Sequence, residues 1–493
     1  MSKILLEALN IKKNYGDDLL FSFDNLRIYQ GNKIGIIGMN GSGKSTLLNI
    51  LAGEDDDFSG NIRRYSGISF IHQLGSDEKS GEQRLLKMFS VPDEIHSGGE
   101  EMRLKIANAF SENNPVLFAD EPNTNLDYDG ISLLTTILKK VETLLLISHD
   151  INLLDTLCTH IIEIDSGKLN FFEGNYSEYK IQKDSEYQRS WDEYEKYSAE
   201  KAHLNQAISE RKQKSKSLNK TPKRMGNSEA RLHKRSTTER AAKLSSAAKN
   251  MQTRIEKLEV KDKPFESASV KMDFSLISPL ENKVVISGEN LNFSYKNKEI
   301  FNDASFQVIN GDKIAIIGNN GTGKTTLLNE IFNKNEAVYA VPKVKIGYFK
   351  QNLSLLDEKK TVLENLMSMS VQNENTARTI LARLLIRRDE VFKKVSILSG
   401  GERVKLSLAM LLCSDANVLF LDEVTNYLDI ISMNALVELI IEYRGTVLFV
   451  SHDKNFTEKI ANKIFIIKDK KIEIFNGGFD EFNEKNHKKM TEI

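Results

Sequence analysis

A chain of 493 residues is too long to organise around one hydrophobic core, so two or three domains are expected. Its 68 basic and 69 acidic side chains leave a net charge of −1, which by itself points to neither a nucleic acid nor a membrane partner. Two cysteines, Cys158 and Cys413, stand in apolar surroundings with no second cysteine nearby, which argues against a disulfide framework and a cysteine metal site and fits a reducing cytoplasm.

Met1 to Glu7 lacks a signal-peptide core and reads as a first strand. The longest apolar runs are strand-sized, far short of the roughly 18 to 20 residues a membrane helix needs, so no membrane domain is expected. Lys33–Gly38 reads as a buried strand, and the string that follows, Gly38 to Ser45, is Gly-Met-Asn-Gly-Ser-Gly-Lys-Ser. Then come Gln73, Ser97-Gly98-Gly99-Glu100, a strand over Val116–Ala119 ending at Asp120-Glu121, Leu126-Asp127, a strand over Thr143–Ile147, and His149. The same order returns from a strand over Lys313–Gly318: Gly318-Asn-Asn-Gly-Thr-Gly-Lys-Thr325, Gln351, Ser399-Gly400-Gly401-Glu402, Asp422-Glu423 after Val418–Leu421, Leu428-Asp429, and His452 after Thr446–Val450. Apolar strands alternating with helical patterns predict α/β domains with mainly parallel sheets. The internal repeat sets two such domains, drawn at 1–182 and 282–493.

Lys44 and Lys324 are 280 residues apart, whereas the Ser-Gly-Gly-Glu strings and the Asp-Glu pairs are 302 apart. The first copy therefore lacks 22 residues between its lysine and its Ser-Gly-Gly-Glu. Between the domains, 183–281 forms a linker whose first eighty residues are rich in Lys, Arg, Glu, Gln, Ser and Ala. Leu244, Ala248, Met251, Ile255 and Leu258 follow a coiled-coil seam, and Tyr187, Trp191, Tyr194, Leu204 and Ile208 form the incoming stripe. Two helices of about thirty residues, folded back at Pro222 and Gly226, would make an antiparallel hairpin roughly 40 Å long. Its tip, 211–235, carries Arg211, Lys212, Lys214, Lys216, Lys220, Lys223, Arg224, Arg231, Lys234 and Arg235 against Glu229 alone. A charge run is often only a solvated face; at the turn of a projecting hairpin it predicts contact with RNA phosphates.

Glycines in the Gly-x-x-x-x-Gly-Lys-Ser/Thr loops let backbone N–H groups converge on phosphate. Gly38, Asn40, Gly41, Gly43 and Thr46, with Gly318, Asn320, Gly321, Gly323 and Thr326, are the loop residues of two ATP sites. Lys44 and Lys324 would reach the β and γ phosphates; Ser45 and Thr325 would ligate Mg²⁺, with Asp120 and Asp422 holding it through water. Glu121 and Glu423 can orient or deprotonate the attacking water. An adjacent carboxylate pair also serves as a helix N-cap, and a strand-end histidine is often a satisfied core residue, but His149 and His452 could equally donate to the γ-phosphate.

With this set around it, Ser-Gly-Gly-Glu resembles the signature of the ABC ATPases. The resemblance implies that the signature of one domain closes on the nucleotide held by the other. Lys44, Ser45, Gln73, Asp120, Glu121 and His149 would share one ATP with Ser399, Gly400 and Gly401. Lys324, Thr325, Gln351, Asp422, Glu423 and His452 would share the other with Ser97, Gly98 and Gly99, and Gln73 and Gln351 join the Mg²⁺ ligands. Tyr15 and Tyr295 sit where that family stacks adenine; either could instead be a packing residue.

An ABC pair in one chain without membrane spans has three readings: the ATPase of a separate membrane exporter, a DNA-repair protein, or a member of the ABC-F group. The DNA-repair type would carry cysteine zinc modules, and an exporter ATPase has no reason for a long helical linker. The whole chain resembles the ABC-F proteins, which use that linker to reach into the ribosome. Housekeeping ABC-F translation factors insert an arm after the first glutamine, and the 24 residues from Gln73 to Ser97 leave no room for one. The chain is thus similar to the antibiotic-resistance ABC-F proteins of the Vga type, with a general translation factor as the alternative. That resemblance implies protection of the ribosome from lincosamides, pleuromutilins and streptogramin A compounds. It also implies a tip that approaches the peptidyl-transferase centre of the large-subunit rRNA from the tRNA exit site and touches the P-site tRNA. Leu218, Asn219, Lys220 and Met225 are candidates for the end of the tip. With both ATPase halves in one chain, a monomer is expected. The chain departs from the pattern at Val424 for proline, at Asn123 for threonine, and at His96 where the second copy has Leu398.

Overall fold

The computed structural model describes residues 3–16, 18–73, 83–92, 98–218, 227–263, 280–295, 298–350, 356–482 and 484–485, with backbone alone at 227–236. Two compact units are present: 1–179 with 268–493, and 180–267.

In the first unit both halves of the repeat build the same sheet. In the first half, Ile68–Ile71, Val116–Asp120, Thr143–Ile147, Lys33–Gly38 and His160–Asp165 run parallel in that spatial order, and Lys168–Glu173 follows antiparallel to the last. In the second half, Ile346–Phe349, Val418–Asp422, Thr446–Val450, Lys313–Ile317, Lys463–Lys468 and Lys471–Asn476 repeat the order and directions. The strands Val116–Asp120 and Val418–Asp422 are buried at every residue. A sheet covered on both faces demands such unbroken apolar runs, so their polar ends must fall at the C-terminal edge, where loops gather. Antiparallel strands Ile4–Tyr15, Asp18–Tyr29 and Ser59–Arg64 continue the first sheet through a Ser22–Lys168 pairing, whereas Val284–Tyr295, Lys298–Ile309 and Val338–Ala340 form a separate sheet in the second half.

The halves differ where the repeat offset changes. Helices Val362–Met369 and Glu374–Arg383 occupy that stretch in the second half. Among the described residues of the first, the short helix Gln83–Met88 is the one helix there.

The second unit holds most of two helices, Tyr176–Leu218 and Asn227–Lys257. Their partners step backward along one helix as they step forward along the other: Lys261 on Glu193 at 3.1 Å, Arg254 on Glu200 at 2.7 Å, and the Ser215 hydroxyl donating to the Ala241 carbonyl at 3.0 Å. They therefore form the antiparallel hairpin the linker sequence predicts. Leu204, Ile208, Ala241 and Ala248 are buried along the seam, while Leu244, Met251 and Ile255 are half-buried. The first helix is longer than the thirty residues expected and spans roughly 65 Å at ~1.5 Å per residue. A reciprocal cap starts it early: Glu178 N–H donates to Asn175 Oδ1 and Asn175 N–H to the Glu178 carboxylate, both at 3.0 Å. The expected turn at Pro222 and Gly226 lies outside the described residues. No helix among the described residues is long and apolar enough to cross a membrane. Cys158 and Cys413 are buried free thiols.

Candidate functional site

The glycine-rich loops leave buried strands and open helices Lys44–Ala52 and Lys324–Phe332. Gly43 and Gly323 sit at φ +94° and +106°. A Cβ on Gly43 would stand 2.9 Å from Leu20 and Phe21, so only glycine lets the chain turn here with its N–H groups facing the mouth. The Lys44 ammonium donates to Gly38 and Met39 carbonyls at 2.9 and 3.0 Å, and Lys324 repeats this with Gly318 and Asn319 at 2.8 and 3.0 Å. Both lysines are buried beneath their loops, and burial lowers both pKa values. Each cation is satisfied by the carbonyls of its own loop.

Asp120 and Asp422 arrive at the C-terminal ends of their strands, hydrogen-bonded by the Ser45 and Thr325 hydroxyls, the latter at 3.2 Å. Burial raises both carboxyl pKa values. Among the described residues, Asp120 Oδ1 and Glu121 Oε1 are buried with no hydrogen-bond partner. Orphaned carboxylate oxygens beside a serine hydroxyl and a lysine fit a divalent cation carried in with a nucleotide, since the protein supplies too few ligands to hold one alone. No cluster of three or more His, Cys, Asp or Glu forms a metal site among the described residues.

Glu121 and Glu423 share a second peculiarity. Both are non-glycine residues at positive φ, +47° and +50°, a conformation costing about 1–2 kcal/mol. The strain turns each carboxylate off the strand and towards the lysine. Burial raises both, and Glu121 is pushed up to about 7, with Lys44 opposing the rise. Val424 for proline leaves this turn intact: the chain continues into a 3₁₀ turn, Val424–Tyr427, with Val424 fully buried. Asn123 for threonine also preserves its contact. Ser148 donates to Asn123 Oδ1 at 3.0 Å, where the second half pairs Thr425 with Ser451 at 3.1 Å.

The two halves meet through these loops. A cavity of about 690 Å³ is lined by Tyr15, Asn40, Gly41, Gly43, Lys44, Ser45, Thr46, Gln73, Asp120, Glu121 and His149 on one side and by Ser399 and Gly401 on the other. Tyr15 and Tyr295 are each about 70 % exposed at strand ends, which leaves their ring faces open for stacking. Gly401 backs onto the Asn40 side chain, and Gly99 onto that of Asn320, so each signature glycine faces the opposite loop. Ser399 caps its helix reciprocally with Glu402, Gly400 and Gly401 form the first turn of Gly400–Cys413, and Gly98 and Gly99 open Gly98–Ser111. Ser97, His96 and Gln351 lie outside the described residues.

The motif strings contain Asp127 and Asp429 without giving them a role, and the structure supplies one. Asp429 accepts the Asn40 N–H at 3.2 Å and Asp127 accepts the Asn320 N–H at 3.3 Å. Asn40 and Asn320 also donate from their amides to the Tyr427 and Asn125 carbonyls. Behind each aspartate stands a base on its own signature helix: Lys405 on Asp429 at 3.3 Å and Arg103 on Asp127 at 3.1 Å. One carboxylate thus links the signature helix of its own half to the phosphate loop of the other. The signal lay in the repeat, since Arg103 and Lys405 are also 302 residues apart.

Of the RNA candidates, Lys212, Lys214 and Lys216 are exposed on the arm, and Leu218 is half-buried. Arg211 differs from the expectation of a free tip cation: its guanidinium lies 2.8 Å from the Met251 sulfur, in the seam. Asn219, Lys220, Lys223, Arg224 and Met225 lie outside the described residues, as do the side chains of Arg231, Lys234 and Arg235.

Phosphate loops that face the signature glycines of the opposite half define a paired ABC-type ATPase. The ABC transporter family profile matches residues 22–83 and 301–426. The erythromycin resistance ATP-binding protein MsrA of Staphylococcus epidermidis is 34% identical over 485 residues, covering 94% of this chain and 97% of that protein. The ribosome protection protein VmlR of Bacillus subtilis is 31% identical over 489 residues, 96% and 88% of the two chains. Among solved structures, the archaeal ribosome recycling factor aABCE1, crystallised with the stalk protein aP1, aligns with a TM-score of 0.63 at 19% identity. That alignment covers 97% of this chain and 92% of the other. The chain belongs to the ABC-F family of ATPases.

Proposed function

We propose that this chain is an ATP-dependent ribosome-protection protein that counters antibiotics acting at the peptidyl-transferase centre. The observation that carries the reading is the helical hairpin, with Lys212, Lys214 and Lys216 exposed on it, in a chain whose halves share one ATP cavity. Two ATP molecules are bound, one by Lys44, Ser45, Asp120 and Glu121 with Ser399 and Gly401. The other lies between Lys324, Thr325, Asp422 and Glu423 and the Ser97–Gly99 signature. Lys44 and Lys324 leave their loop carbonyls for phosphate, and the N–H groups of the glycine loops orient it. Ser45 and Asp120 with Gln73, and Thr325 and Asp422 with Gln351, would hold Mg²⁺, which would supply neutralisation of developing phosphate charge. Glu121 and Glu423 take up the proton of the attacking water, and His149 and His452 donate to the γ-phosphate.

Domains at 1–182 and 282–493 would close around the nucleotides as a cytoplasmic monomer. Closure would hold the linker, 183–281, in the tRNA exit site with its tip against large-subunit rRNA and the P-site tRNA, and hydrolysis would release it. Support comes from the likeness to MsrA and VmlR, whose names record erythromycin resistance and ribosome protection. Expression in a susceptible strain, with inhibitory concentrations measured for lincosamide, pleuromutilin, streptogramin A and erythromycin, tests this directly. Raised concentrations that fall back on Glu121→Gln with Glu423→Gln are expected. Unchanged sensitivity to all four would favour a general translation factor, and stable recovery with a membrane permease would favour an exporter ATPase.

A further inference from the structure

The two catalytic carboxylate–histidine pairs differ in how His149 and His452 are placed. His149 Nε2 lies 3.4 Å from Glu121 Oε1, and its backbone N–H donates to Glu121 Oε2 at 3.3 Å. His452 makes no such contact. Neither of its ring nitrogens has a hydrogen-bond partner among the described residues, and Glu423 instead accepts from the Asn426 amide at 3.2 Å. The ring contact of His452 comes from the opposite half. Tyr128, the residue after Asp127, sets its ring edge-on to the His452 imidazole, centroids 5.5 Å apart at 64°. The same ring stacks on Phe479 at 5.8 Å, and its hydroxyl donates to the Ser451 carbonyl, next to His452, at 3.2 Å.

The position 302 residues on from Tyr128 holds Ile430, which is buried in the core of the first half and carries no hydroxyl or ring to brace His149. We infer that Tyr128 is a positioning residue for the second ATP site, acting across the domain interface to hold His452 apart from its glutamate, with its buried ring nitrogens left unpaired for a γ-phosphate. The contact forms only when the halves are together, so it makes the second histidine's geometry a readout of closure, whereas His149 is set by its own half. An aromatic edge and one hydroxyl on the preceding carbonyl fix both the ring plane and the strand end that carries it.

This rests on the proposed two-site hydrolysis, and the test separates the two. Single-turnover ATP hydrolysis is measured in Glu121→Gln, which leaves the second site, and in Glu423→Gln, which leaves the first. Each is combined with Tyr128→Ile, matching the equivalent position, and with Tyr128→Phe, which keeps the ring. Tyr128→Ile is expected to slow the second site on the order of tenfold with ATP affinity kept, as a misplaced group does. The first site should stay within about twofold, and Tyr128→Phe should fall between the two. In a His452→Ala background Tyr128→Ile should add no further loss, because residues acting as a unit are not additive. Equal slowing of both sites would make Tyr128 a plain interface residue and overturn the inference alone, as would additive losses with His452→Ala. Absence of second-site turnover with Tyr128 intact would overturn the two-site reading and this inference with it.

Discussion

Asp429→Asn should do more damage than Asp127→Asn, although the residues are equivalent in the repeat. Asp429 is 1% exposed and Lys405 behind it 4%. The amide would still accept from the Ser432 N–H, which the carboxylate caps at 2.8 Å, but it leaves the Lys405 charge buried and unpaired. Stranding a buried ion costs roughly 3–5 kcal/mol, and about 3 is expected with the cap retained. At the other site the Arg103 side chain is 25% exposed and can regain water, so about 1 kcal/mol is expected, the net value of an ordinary hydrogen bond. Calorimetry of the ATP-free protein, with each half's transition followed separately, should show the larger loss in the second half. Each variant should also weaken ATP binding at the loop its aspartate reaches: Asp429→Asn at Lys44, Asp127→Asn at Lys324. Equal losses, or a larger one for Asp127→Asn, would refute the argument that the burial of the base sets the cost.

Gly43→Ala should abolish ATP binding at the first site, because positive φ costs about 1–2 kcal/mol and the methyl meets Leu20 and Phe21. Glu121, raised to about 7 by burial, stabilises the folded chain when protonated. That contribution is complete below pH 4.5 and is lost as pH rises through about 7, so ATP-free stability should fall by roughly 1–3 kcal/mol from pH 5 to 8. Urea titrations should find a shallower fall in Glu121→Gln. Reversing Lys212, Lys214 and Lys216 to Glu should weaken ribosome binding and reduce its salt slope by about 3, one for each phosphate no longer neutralised. Ile208→Ala, in the arm seam, should cost about 2–4 kcal/mol of arm stability while ATP hydrolysis persists.

The phosphate loops and the carboxylate ends of the strands were legible in the sequence because each is a short string with a fixed mechanism, and the swapped signatures were implied by the family resemblance those strings carry. The arm's seam was legible for the same reason, being periodic. Its length was not: the stripe from Tyr187 onward does not mark where the helix begins, and the start is set by the local Asn175–Glu178 cap. The cross-domain contacts were also hidden. Asp429 meets Asn40 and Tyr128 meets His452 across more than 300 residues of chain, and no local pattern records such pairings. The departure at Asn123 does not make the sites unequal, because its amide keeps the hydrogen bond that threonine makes in the other half. The inequality lies instead at Tyr128, opposite an unremarkable Ile430.

The central claim is that ATP-driven closure fixes the arm in the ribosome and that hydrolysis frees it. Co-sedimentation of the Glu121→Gln, Glu423→Gln protein with ribosomes in ATP tests it most directly. The account predicts that the double variant stays bound through washing, that wild type is released, and that neither is retained in ADP. A double variant that leaves ribosomes as readily as wild type would contradict it.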